Sequence, residues 1–246
     1  MRVLCRVSYK GTNYQGWQKQ KDAPTVQGTI ESVLSKILNT EIQIQGSGRT
    51  DAGVHAINQY FHFDLEKDMD LGRLRYSANC LLPEDIFIKE IKPVSDDFHA
   101  RFSGKGKHYQ YIIQLGERNA FNYDLETNIP YEINANLLQE SLKKCEGKHN
   151  FQDFTSKEED DDSFVRTIYS IDVENQLDHI YINFYGDGFM RYQIRDIVGS
   201  ALAIAYGKEP LEFMDKHLQD KKERETISYK APAEGLYLVD VDYLIC

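Results

Sequence analysis

The sequence lacks any apolar run approaching the roughly 18–20 residues that cross a bilayer, and its mean hydropathy is −0.55. It reads as a soluble globular chain rather than a membrane protein. A secretory signal is not expected either, because Met1-Arg2-Val3-Leu4-Cys5-Arg6 meets charge too early for an apolar h-region. Cysteine is scarce: Cys5, Cys80, Cys145 and Cys246 stand far apart, with no C-x-x-C pair. That spacing argues against a zinc knuckle and for reduced thiols in the cytoplasm. Positive charge is in deficit as well, with 29 Lys and Arg against 39 Asp and Glu and a net charge of −10. Chains that bind nucleic acid usually carry the opposite balance, so composition alone favours an enzyme of small molecules.

The charge is uneven, however. Residues 1–21 hold five basic side chains (Arg2, Arg6, Lys10, Lys19, Lys21) and no carboxylate. Residues 98–116 hold Arg101, Lys105 and Lys107 with His99 and His108, again without a carboxylate. The acids concentrate elsewhere, six of them from Asp153 to Asp162. A polyanion senses the local field over about 8–10 Å, so a basic cleft on an acidic body remains able to bind RNA. The run Lys157 to Asp162 reads as a solvated loop; a cation site there would lack the spaced turn glycines such loops use.

At 246 residues the chain is long enough for one large domain or two fused smaller ones. Alternation of Val3, Cys5, Val7 and Tyr9 predicts a strand, and Val26 to Leu38 recurs at helical spacing behind a Thr25 cap. A strand beginning at Ile42 and Ile44, a turn from Gly46 to Gly53, and a strand over 57–63 with Gln59, Phe61 and Phe63 on one face follow. A helix near 70–79 and a strand near 86–92 complete a β-α-β-β-α-β series. The same order recurs in a strand over 107–115, a helix over 137–145 and strands near 164–173 and 179–185. Helices over 190–206, with one apolar face, and 211–219, and a strand at 236–244, close it. The expected class is α+β: two ferredoxin-like halves, 1–98 and 99–246, whose antiparallel sheets lie side by side around a central cleft.

The segment richest in chemical signal is Gly46-Ser47-Gly48-Arg49-Thr50-Asp51-Ala52-Gly53-Val54-His55-Ala56. Its glycines permit positive φ and close approach of another chain. An aspartate among glycines is more often a turn-former than a catalyst, but a tight turn requires neither Arg49 nor Thr50. A carboxylate beside a guanidinium stays ionised, which suits a nucleophile or an ion-pair stabiliser better than a proton donor. No second carboxylate stands out, which counts against the paired acids of glycosidases.

The stretch Gly48 to Ala56 resembles the signature of the TruA family of tRNA pseudouridine synthases, and the likeness continues in order along the chain. Tyr9-Lys10-Gly11, Tyr14-Gln15-Gly16-Trp17-Gln18-Lys19-Gln20 and Thr25-Val26-Gln27-Gly28 are similar to its opening motifs. Leu82-Pro83-Glu84-Asp85-Ile86, then Phe98 to Ser103 running into Tyr109-Gln110-Tyr111, resemble its middle. Arg195-Asp196-Ile197-Val198-Gly199 and Ala233 to Leu238 resemble its closing helix and strand. The resemblance implies the pseudouridine synthase fold and isomerisation of uridine to pseudouridine at positions 38, 39 and 40 of the tRNA anticodon stem-loop. It implies Asp51 as the catalytic aspartate, Tyr109 as the tyrosine that stacks on the target base, and Arg195 as the arginine that pairs with the aspartate. Arg49, two residues before Asp51 in the signature, is a further candidate substrate-binding residue. The reaction breaks the N1–C1′ bond, turns the uracil and rejoins it through C5, which calls for no redox step, metal or cofactor. The target must leave the helical stack, and an aromatic face recovers about 1–3 kcal/mol of the lost stacking. A cytoplasmic homodimer with tRNA as partner is also implied.

The residues have plainer readings. On alternation alone Tyr109 is a core residue, with Tyr111 the better core candidate. Arg191 and Arg195 share a helical face that suits solvent. Lys105 and Lys107 suit phosphate contacts, His55 and His99 suit structural hydrogen bonds, and Trp17 suits packing or an RNA-loop contact. Three departures from the family pattern stand out: Lys10 in place of an aspartate, few arginines in Gly104 to His108, and Arg191-Tyr192 where histidines are usual. Two rival functions remain. A catalytically silent RNA-binding module would not need Asp51 and Arg195, and a small-glycoside hydrolase would need a second acid.

Overall fold

The structure, a computed structural model, describes residues 1–156, 164–221 and 223–243. The acidic run Lys157 to Asp162, read above as a solvated loop, lies outside the described residues, as does Cys246. In chain order the elements begin β1 (Arg2–Tyr9), α1 (Val26–Leu38), β2 (Gln45–Gly46), β3 (His55–Asp64), α2 (Leu71–Leu81), β4 (Ile86–Val94) and β5 (Gly104–Leu115). They continue β6 (Thr127–Ile129), α3 (Ala135–Lys143), β7 (Gly147–Asn150), β8 (Val165–Gln176), β9 (His179–Gly186), α4 (Gln193–Ala205), α5 (Glu212–Leu218) and β10 (Leu236–Tyr243). This is the expected α+β class. No helix among the described residues is long and apolar enough to cross a membrane. The chain divides into two compact units, Met1–Lys105 with the chain from Tyr237 on, and Gly106–Leu236.

In the first unit β1 runs antiparallel between β4 and β3, and β2 pairs with the far edge of β3. That is the β4-β1-β3-β2 order of a ferredoxin-like sheet. β10 joins β3 in parallel, with Tyr237 opposite His55 and Leu238 opposite Ala56. The alternation of β1 buries Val3, Cys5, Val7 and Tyr9 and sets Val3 across from Phe63 and Cys5 across from Phe61. Each such apolar side chain contributes roughly 1.5–3 kcal/mol through its burial. α1 begins where the Thr25 hydroxyl accepts from the Gly28 N–H, and ends at Asn39 in the left-handed region.

Two local expectations change. The strand expected from Ile42 shrinks to Gln45–Gly46, although Ile42 and Ile44 are buried. The Ile42 N–H donates to Ser35 Oγ at 2.9 Å and the Ile44 N–H to Glu31 Oε1 at 3.1 Å. Side chains of α1 thus take the place of a sheet partner. β3 is buried on both faces rather than one. Behind it, the Tyr60 hydroxyl donates to Asp240 and its ring meets Tyr243 edge-on at 5.1 Å. Tyr243 in turn donates to the Ala100 carbonyl at 2.5 Å.

In the second unit β5, β9, β8 and β7 form an antiparallel sheet, and β6 runs parallel to the end of β5. The short β6 and β7 (Thr-Asn-Ile and Gly-Lys-His-Asn) carry no alternation from which to predict them. The helix expected from 190 starts at Gln193, because Tyr192 takes a left-handed φ of 66°. α4 is also buried on every side, with Arg195 the one residue of the helix that is not buried, so its apolar stripe is only part of its packed surface. Gly199 makes that packing possible, since a Cβ there would lie 2.8 Å from the backbone nitrogens of Lys230 and Ala231.

Burial, with help from the His99 and Arg2 charges, lowers the His62 pKa to about 4, and its Nδ1 accepts from the Ala100 N–H at 3.1 Å. The unfolded imidazole titrates near 6.5. Between these values the unfolded chain binds the extra proton, so this part of the stability is present above pH 6.5 and is lost as pH falls toward 4. His62→Gln, which keeps an acceptor for Ala100, should therefore lose less stability than wild type between pH 7.5 and 4.5, by about 2 kcal/mol. Urea unfolding at the two pH values checks this, and parallel losses in the two proteins would refute it.

Candidate active site

The loop that carries Asp51 in the first unit is held by the segment that follows β1. A Cβ on Gly11 would come 2.0 Å from the Val54 carbonyl oxygen, and one on Gly16, at φ +88°, 2.7 Å from the Thr50 carbonyl oxygen. Backbone therefore lies directly on backbone, a distance only glycine permits. Hydrogen bonds fix the contact: the Trp17 N–H donates to the Thr50 carbonyl at 3.1 Å and the Gly53 N–H to the Tyr14 carbonyl at 3.3 Å. The Gly11 N–H donates to His55 Nδ1 at 3.0 Å. Beneath the loop, the hydroxyls of Tyr9 and Thr50 share a buried hydrogen bond of 2.8 Å, and Ser47 Oγ donates to Gln59 Oε1. The Val54 N–H donates to the Asp51 carbonyl at 3.2 Å, which closes a turn in which Gly53 takes φ +80°.

Within this frame Asp51 is half-buried and Ala52 exposed, between buried Thr50 and Val54. Arg49 is exposed and makes no ion pair among the described residues, so it does not supply the flanking guanidinium expected beside Asp51. Trp17 is 2% exposed, packed on Gly46 and against Tyr9 and Phe61; of its two readings, packing is the one it fulfils. His55 accepts at Nδ1 and lies against the Tyr237 ring at 4.7 Å. His99 accepts the Arg101 N–H, and its ring lies tilted against Phe102 at 4.4 Å. Both histidines have the structural roles expected of them.

The second unit carries the other two candidates. On β5 the side chains pass from exposed Lys105 and half-buried Lys107 to buried Tyr109, then Tyr111. Tyr109 sits opposite Phe184 and meets the Phe189 ring edge-on at 5.3 Å. Both tyrosines are buried in the core, Tyr111 completely, with its hydroxyl bonded to Thr127 and to the Pro232 carbonyl. Burial raises the Tyr111 pKa well above the usual phenol range. In the first turn of α4, Arg195 Nε donates to the Ala231 carbonyl at 2.8 Å while the Ala231 N–H donates back to the Arg195 carbonyl at 2.9 Å. Arg195 is thus tied to the strand-entry segment that also receives Tyr111.

The model of a family of tRNA pseudouridine synthases matches residues 6–103 and 142–244 of this sequence. The chain belongs to the tRNA pseudouridine synthase family. It is 39% identical to tRNA pseudouridine synthase A of Mycoplasmoides gallisepticum, over 98% of this chain and 90% of the relative. It is 37% identical to that of Anoxybacillus flavithermus, over 98% of each, and 36% identical to that of Streptococcus mutans, over 99% of each. A solved chain from a Cbf5–Nop10–Gar1 complex is 14% identical, over 81% of this chain and 54% of that one, with a TM-score of 0.37, too low to bear on the fold.

Membership in the pseudouridine synthase family makes this chain an isomerase of uridine in tRNA. Sequence reasoning named its aspartate loop but missed what braces it. Gly11 and Gly16 stand in the quoted motifs, yet a glycine in a motif does not say which backbone will lie on it. It also missed Lys230, which reaches the Tyr192 ring from 38 residues away; nothing local to Lys230 signals that contact.

The space at Gly11 makes one prediction for a family enzyme with this loop. Gly11→Ala should destabilise the fold by about 1–3 kcal/mol through overpacking and depress pseudouridine formation more than tRNA affinity. Thermal melting with turnover and binding assays tests this; an alanine variant with wild-type melting and turnover would show that the contact is not needed.

Proposed function

We propose that Asp51 is the catalytic carboxylate of this isomerase, and that the uridines it converts lie at positions 38, 39 and 40 of the tRNA anticodon stem-loop. The observation that carries this reading is the loop itself: a half-buried carboxylate on a turn pinned by two backbone-on-backbone contacts. A rigid frame suits chemistry in which an aspartate must keep its place while a base detaches and turns. The reaction balances without an outside reagent. The N1–C1′ bond breaks, the C5–C1′ bond forms, C5 gives up its proton and N1 gains one.

Tyr109 is the stacking surface for the target base, and its edge-on contact with Phe189 fixes its ring. Arg195, locked by two hydrogen bonds to Ala231, is the arginine that supports the catalytic carboxylate. Exposed Arg49 serves RNA binding rather than the chemistry. The enzyme works in the cytoplasm as a homodimer.

Asp51→Asn should abolish pseudouridine formation and leave the tRNA Kd within about twofold, because the change is nearly isosteric and removes only charge. Tyr109→Leu should cost about tenfold or more in kcat/KM through lost stacking. Carbodiimide-dependent reverse-transcription stops on unmodified tRNA read both variants and locate the product. Stops outside 38–40 would correct the target positions, and full activity of either variant would overturn that residue's role.

A further inference from the structure

Backbone pairing with β3 carries the chain as far as Ser47, whose N–H donates to the Tyr60 carbonyl at 2.7 Å. Past that point, side chains from beneath take over. Gln59 on β3 accepts from Ser47 Oγ and donates through Nε2 to the Gly48 carbonyl at 3.2 Å. Tyr9 on β1 meets Thr50, hydroxyl to hydroxyl, at 2.8 Å, and interacts with the Gln59 amide as well. Ser47, Gln59, Tyr9 and Thr50 are all buried. Asp51 follows at once and is half-buried.

Tyr9 stands apart in this series. Its ring packs against Trp17 at 5.9 Å and fills a core position that phenylalanine would fill as well. Only the hydroxyl distinguishes the two, and the groups it meets are Thr50 and the amide that holds Gly48. A buried hydroxyl costs free energy unless it is bonded, and two hydroxyls that leave water to bond each other add little net stability. What the bond supplies is position. The Thr50 carbonyl also accepts from the Trp17 N–H at 3.1 Å, so residue 50 is held by main chain and side chain, one peptide from the carboxylate. Burial raises the Tyr9 phenol above its usual range, and the hydroxyl stays protonated through neutral pH.

We propose that Tyr9 is a positioning residue of the isomerase, which sets the Asp51 carboxylate through its bond to the Thr50 hydroxyl. This rests on the reading of Asp51 as the catalytic carboxylate and adds the contact that keeps it in place. Buried beneath the loop, Tyr9 acts on the chemical step and not on tRNA binding. A displacement on the order of 1 Å at a reacting group can cost about a hundredfold in rate. With Thr50 still anchored to Trp17, loss of the hydroxyl bond alone should cost less, about tenfold.

The test compares single-turnover pseudouridine formation at saturating enzyme, tRNA Kd and thermal melting. The proteins are wild type, Tyr9→Phe, Thr50→Val, the double variant and Thr50→Ser. Tyr9→Phe and Thr50→Val break one bond from its two ends, so either one that stays folded at the assay temperature reads it. Each should slow the single turnover about tenfold and leave Kd within about twofold. The double variant should be no slower than the slower single variant, because the second change removes nothing further. Thr50→Ser keeps the hydroxyl and should keep the wild-type rate. A folded Tyr9→Phe or Thr50→Val that turns over at the wild-type rate, whatever its melting, would leave the bond merely structural and overturn the proposal. Losses that multiply in the double variant, a Kd that weakens in step with the rate, or a Thr50→Ser as slow as Thr50→Val would overturn it too. Full activity of Asp51→Asn in the same assay would instead overturn the reading of the carboxylate.

Discussion

The backbone of residues 11–17 lies against the backbone of residues 50–54, and that contact decides the geometry of the aspartate loop. Gly11 and Gly16 allow it, and three hydrogen bonds, from Gly11, Trp17 and Gly53, hold it. The apolar layer beneath depends on it as well. Trp17 packs beside Gly46 and against Tyr9 and Phe61 while its own N–H is anchored to Thr50. A loop fixed in this way loses its conformational entropy on folding rather than on binding substrate. The cost is borne by the β1–β3 sheet, whose buried Val3, Cys5, Phe61 and Phe63 supply the stability.

A second constraint operates in the other unit, where α4 is buried nearly all round. Gly199 lets the segment 229–231 approach the helix closely, and Arg195 is then tied to that segment by hydrogen bonds in both directions. The helix therefore cannot turn about its axis without breaking them. Its one residue that escapes burial is a charged one, and the reason is mechanical: every other position of α4 is taken by packing.

A net charge of −10 leaves room for local groups of cations. Fields in salt water fade within about 8–10 Å, so the acids from Asp153 to Asp162 do not cancel a group of cations unless they lie beside it. Arg191, Arg195 and Lys230 converge on the Tyr192 ring. Composition averages over such clusters and so misjudges the partner.

Much of the fold was legible because periodicity reports burial directly. The alternation of β1, the helical spacing of α1 behind Thr25, and the ordered motifs with Asp51, Tyr109 and Arg195 could all be read from the residues in line. What escaped depends on groups distant in sequence. Ile42 and Ile44 are shaped like strand residues, yet their N–H groups find Ser35 and Glu31 instead of a strand. β3 reads as one-sided because Tyr60 and His62 are polar, and only the arrival of Ala100 and Tyr243 buries them. Arg49 stands two residues before Asp51 but is exposed, where Asp51 is half-buried. The sequence by itself determined the class and the family and pointed to the candidate reactive residues, because those follow from local pattern. Tertiary structure alone decided which backbone rests on Gly11 and which lysine reaches Tyr192, because no local pattern encodes a contact whose partner comes from elsewhere in the chain.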